Sequence, residues 1–91
     1  DEAKLSPIEF TLYPNPSSDK IFLSLSGISS KNLTVNITDV YGKSHYVKNH
    51  NTTYNMEFDG SIDVSNFANG IYFVEVVSGE ERITKRIVVN K

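Results

Sequence analysis

The sequence predicts an all-β fold, an antiparallel β-sandwich of about seven strands. Three observations predict it. Apolar and polar residues alternate in short runs, turn-forming residues separate those runs about every 8–13 positions, and no stretch carries the 3.6-residue period of a helix. The most strand-like stretch is Asn69-Gly70-Ile71-Tyr72-Phe73-Val74-Glu75-Val76-Val77, which is β-branched or aromatic after its glycine and holds Glu75 as its one charge. Such a run suits a central strand covered on most of both faces. Ser78-Gly79-Glu80 then turns the chain into a last strand, Arg82 to Asn90.

Taken in order, residues 1–7 are charged, end in proline and read as a linker, with the folded domain spanning 8–91. In the first strand Ile8, Phe10 and Leu12 point inward and Glu9, Thr11 and Tyr13 outward. Pro14-Asn15-Pro16 ends it, because proline nitrogens cannot join a ladder, and should hold the chain extended before a turn. Lys20 to Ser26 follows, with Ile21, Leu23 and Leu25 inward. Leu33, Val35 and Ile37 face inward in the third strand. Asp39-Val40-Tyr41-Gly42-Lys43 makes a hairpin turn in which Gly42 takes the left-handed conformation. Ser44 to Lys48 returns as a polar edge strand, and Asn49 to Thr53 reads as a loop. Tyr54, Met56 and Phe58 alternate into the core until Asp59-Gly60 breaks the strand. Ile62 and Val64 mark a short sixth segment, after which Ser65 is expected to cap one helical turn.

Composition narrows the function classes. A chain of 91 residues makes one domain and buries roughly 60–65% of its unfolded surface. The absence of cysteine removes disulfides and the commonest zinc ligands together. With 9 basic and 11 acidic residues, net −2, there is no electrostatic case for nucleic acid. No apolar run reaches the length of a membrane helix. The polar start, Asp1-Glu2-Ala3-Lys4, is no signal peptide, and the piece reads as the C-terminal part of a longer protein.

Catalysis, metals and cofactors find little support. His45 and His50 lie in a polar strand and loop and read as solvated surface residues, and no serine stands in a nucleophile-elbow context. Asp39, Asp59 and Asp63 are too dispersed for a calcium loop and read as turn caps. Asn32, Asn36 and Asn51 head glycosylation-type triplets and read as outward polar positions. Phe22 and Phe73 fall on outward faces, with Tyr13, Tyr41 and Tyr46 nearby. An exposed row of rings would suit stacking on sugars, so an accessory module binding glycan or protein is the alternative reading. The last hairpin is basic, with Arg82, Lys85, Arg86 and Lys91, which suits a strand that docks on a partner.

Four motifs in order carry a resemblance: Tyr13-Pro14-Asn15-Pro16; Leu33 to Lys43 with Asp39, Gly42 and Lys43; Ile62-Asp63-Val64-Ser65-Asn66-Phe67-Ala68-Asn69-Gly70-Ile71-Tyr72; and Lys85-Arg86-Ile87-Val88-Val89. Together they resemble the C-terminal sorting domain of type IX secretion cargo, the Por secretion system, type A. The resemblance implies an Ig-like sandwich, no catalytic activity and no cofactor. It implies an upstream cargo domain, an outer-membrane translocon as reader, and a surface cysteine protease acting as a sortase that cuts near residues 1–7. The parent would be secreted or held at the cell surface after transit of the periplasm. Sorting information would concentrate in Gly70, Tyr72, Lys85, Arg86, Ile87 and Lys91. Physically, Tyr72 alternates with Val74 and Val76, so its ring should point inward with the hydroxyl seeking a polar partner. Lys85 lies in phase with Ile83, Ile87 and Val89. Either a bulge turns it outward or its stem is buried while the ammonium reaches water.

Overall fold

Strict alternation decides the architecture, because successive side chains of a strand point to opposite faces and one set can line a core shared by two sheets. In the computed structural model, residues 9–27, 32–51 and 57–91 are described, with 57 and 58 through their backbone alone. Among the described residues seven strands form: β1 (Glu9–Tyr13), β2 (Lys20–Ser26), β3 (Asn32–Asp39), β4 (Ser44–Asn51), β5 (Glu57–Asp63), β6 (Gly70–Ser78) and β7 (Glu81–Val89). They make two antiparallel sheets, ordered β1-β2-β5 and β4-β3-β6-β7, packed as an Ig-like sandwich. Phe10, Ile21, Leu23 and Leu25 face Leu33, Val35, Ile37, Val74 and Val76 across one core. Val64, Ile87 and Val89 join it where β6 and β7 lie at the end of the sheet.

Several local expectations change. The strand beginning at Ser44 continues through Asn49 to Asn51, paired with β3 as far as Asn32, so these three residues are strand and not loop, while Thr52 and Thr53 lie outside the described residues. Asp59-Gly60 does not break a strand. Gly60 pairs with Leu23 in the middle of β5, and Ile62 lies in the same strand, because β2 supplies the ladder along its whole length. Tyr54 and Met56 lie outside the described residues; Phe58 pairs with Leu25. Ser65 caps no helix. Asp63 Oδ1 accepts the Ser65 N–H at 2.9 Å and Phe67 N–H donates to Val64 C=O at 3.0 Å, a plain turn. The two prolines do not simply extend the chain: the Tyr13–Pro14 and Asn15–Pro16 bonds are both cis.

One irregularity positions the site. Ile37 pairs with Tyr46 but Thr38 pairs with Ser44, so His45 is an extra residue in β4, a β-bulge. Tyr46 therefore packs against the core instead of joining an outward ring row. Ser44 turns the other way and donates to Asn36 Oδ1 at 2.8 Å.

Ile37 is fully buried in an inner strand. Ile37→Ala should lower the unfolding free energy by roughly 2–5 kcal/mol, whereas Val47→Thr on the exposed face of β4 should be near neutral. Urea denaturation of the two variants checks this, and equal losses would contradict the assigned faces.

Candidate functional site

The turn from β3 to β4 is built on one carboxylate. Asp39 Oδ1 accepts the N–H groups of Tyr41 (2.9 Å) and Lys43 (3.0 Å), and its main chain exchanges bonds with Gly42 and Lys43. Gly42 has φ +86°, and a Cβ there would meet nothing within 4 Å, so conformation and not space requires glycine. Asp39 Oδ2 lies 2.8 Å from His45 Nε2. That hydrogen bond, helped by the two turn amides, holds the Asp39 carboxyl below the usual aspartate range against an opposing effect of burial. The Lys43 side chain itself stays exposed.

His45 is thus more than a solvated surface residue. The bulge turns its ring toward Tyr72, edge-on at 5.3 Å between centroids, and toward Phe67 at 5.5 Å; Phe67 and Tyr72 lie 5.1 Å apart. Tyr72 points inward as expected and donates its hydroxyl proton to Ala68 C=O at 2.7 Å. Gly70 opens β6 at φ +154°, a backbone state that side chains disfavour. Lys91 closes this end. Its N–H donates to Asn69 Oδ1 at 3.0 Å and its ammonium donates to the carbonyls of Ser65 and Phe67.

The opening motif meets the closing one across the edge of β7. Asn15 Oδ1 accepts the Val88 N–H at 3.0 Å and Asn15 Nδ2 donates to Arg86 C=O at 3.3 Å. Ser17 N–H donates to Val88 C=O (2.9 Å) and its C=O accepts Asn90 N–H (2.8 Å), a parallel bridge opposite Val89. Ser17 is itself buried, its hydroxyl donating to Lys20 C=O at 2.8 Å. Pro14 and Pro16 flank Asn15 in the segment that joins β1 to β2 within the three-stranded sheet and touches the β7 edge of the other.

Gly70, Tyr72, Asp39, Gly42, Lys43 and Lys91 therefore gather at one end of the four-stranded sheet, with Asp39 directly opposite Tyr72 in the register. Pro14, Asn15 and Pro16 lie against the same end from outside, next to Arg86 and the fully buried Ile87. Lys85 needs no bulge, since the β6–β7 register runs unbroken. Its ammonium lies 5.9 Å from the centroid of the Phe10 ring, and the residue as a whole is exposed, so the expected burial of its stem is not seen either. Tyr13 stacks on Phe22 at 5.6 Å on the outside of the three-stranded sheet. Phe73 lies on the outside of the other sheet, so no single row of rings forms. Sequence reasoning missed His45, Phe67 and Ser17. The bulge and the long-range bridge that give them their roles leave no local signature.

Among the described residues, no three of His, Cys, Asp and Glu gather where a metal ion would sit, and no helix is long and apolar enough to cross a membrane. The class defined is a small β domain whose shared features are turns, packed ends and strand edges. Residues 11–90 match the family described as secretion system C-terminal sorting domain, and the chain belongs to that family, the sorting domains of type IX cargo. It is also 31% identical over 94 residues to an endo-acting ulvan lyase of Formosa agariphila, a match covering 98% of this chain and 16% of that enzyme. The chain thus spans a small fraction of that relative.

Asp39 and Asp63 both have carboxyls held low, Asp63 by the Ser65 hydroxyl and amide. A carboxyl whose folded pKa lies below its unfolded value of about 3.9 stabilises the fold above that pH, and the contribution is lost as pH falls towards the folded value. Urea midpoints should therefore drop below about pH 4, and Asp39→Asn should shallow that drop; an unchanged acid limb would contradict the carboxylate-centred turn. Tyr72→Phe should lower stability by about 1 kcal/mol through the lost bond to Ala68, read by thermal unfolding, with no loss contradicting that bond.

Proposed function

We propose that this domain is the part of a larger exported protein that the type IX outer-membrane translocon reads, and that it is afterwards removed. The observation that carries the reading is the match over residues 11–90, and Asn15, Asp39, Tyr72 and Lys91 lie towards one end of the sandwich. The domain makes and breaks no bond in this account; it presents a folded shape. Gly70, Tyr72 and Ile87 build the end that is presented, while Lys85, Arg86 and the strand up to Lys91 lie where a reader would touch it. Removal would fall to a sortase-like cysteine protease at the cell surface, acting in residues 1–7 ahead of the first strand. The parent would then be secreted or held at the surface.

Fusing residues 1–91 to a periplasmic reporter in a host with the type IX machinery tests this. The reporter should reach the surface or the medium, and should stay in the periplasm when the translocon is deleted. Retention in the competent host would reject the sorting role. N-terminal and C-terminal sequencing of the exported products should place the cut in or just before residues 1–7; an intact fusion at the surface would reject removal alone.

A further inference from the structure

The edge of β7 is closed for only half its length. Val88 turns both its N–H and its C=O away from β6, since Asn15 and Ser17 take them. Antiparallel alternation then turns the N–H and C=O of Arg82 and Thr84, and the N–H of Arg86, to the same side. Among the described residues nothing pairs with these groups, because β7 has β6 as its one neighbouring strand and the Asn15–Ser17 cover stops at Arg86 C=O. Unpaired edges are usually blunted. The opposite edge strand, β4, carries the His45 bulge. The β7 ladder instead runs straight, with no bulge and no proline, from Gly70↔Val89 to Ser78↔Glu81.

The charge along this edge says what fits it. Arg82, Lys85 and Arg86 are exposed cations within a chain of net charge −2. One of them, Arg82, has Nε 3.2 Å from Glu75 Oε2. A second copy of the domain added at this edge would set cations against cations, which is unfavourable across a strand pair. We propose that the open half of β7, Arg82 to Arg86, accepts an extended acidic segment of the export machinery as an additional antiparallel or parallel strand. The proposal rests on the sorting reading and adds the mode of recognition. Ladder bonds to Arg82 and Thr84 supply the docking, and acidic side chains opposite the cations supply selectivity.

Two experiments test it. In the first, a short synthetic peptide alternating glutamate with valine is added to the full 91-residue chain and amide exchange is followed by NMR. The Arg82 and Thr84 amides should slow, while the same peptide with alternate amides N-methylated, or with lysine for glutamate, should leave them fast. Equal slowing by the N-methylated peptide, slowing at β4 instead, or an effect produced by anionic lipid vesicles and not by the peptide would each overturn the proposal. In the second, Arg86→Glu, on an exposed side chain, is placed in the reporter fusion. It should weaken peptide binding about tenfold and lower export with an unchanged urea midpoint. If the unmodified fusion is exported and the Arg86→Glu fusion is exported equally, strand addition is wrong and the sorting role stands. If the unmodified fusion is not exported, both fail.

Discussion

The packing of the last strand depends first on the bonds from Asn15 and Ser17 to the edge of β7. They join residues more than seventy positions apart, Asn15 Oδ1 to Val88 N–H and Ser17 to both Val88 and Asn90. The segment between β1 and β2 serves as a short parallel cover, and the C-terminal half of the last strand is held from both sides. Because this contact is so distant in sequence, it exists only where the chain's two ends are brought together by tertiary structure. The finished edge is therefore a property of the complete fold and not of the final residues as a linear tail.

A second constraint fixes the adjoining end of the sheet. The extra residue in β4 brings His45 against Asp39, Tyr72 and Phe67, and so couples the β3–β4 turn to the start of β6. Lys91 then holds the 65–69 turn from the other side. Residues as far apart as Asp39, Tyr72 and Lys91 thus meet at one end, with apolar packing inside and hydrogen-bonded turns around it. A reader of that end would sample the state of four strands at once.

Much of this was legible in the sequence where local rules decide. Period-two alternation placed Lys20 to Ser26 at its observed bounds and sent Leu33, Val35, Ile37, Tyr72, Val74 and Val76 inward. Asp39 and Gly42 announced the turn that they form. The errors arose where a partner strand overrides local chemistry. Gly60 is held in β5 by Leu23, and Asn49 to Asn51 stay in β4 because β3 continues beside them. The role of His45 was hidden because a bulge is a mismatch between two strands, visible from neither alone. Lys85 posed the right question, and the exposed position of β7 beside Phe10 answered it.

Native-state amide exchange at Val88, compared between the parent chain and Asn15→Ala, tests the central claim most directly. If Asn15 seals the edge, the Val88 amide exchanges slowly in the parent chain and becomes fast in the variant, while the Val76 amide in β6 stays protected in both. A Val88 amide that exchanges at the same rate with and without the Asn15 side chain would contradict the account.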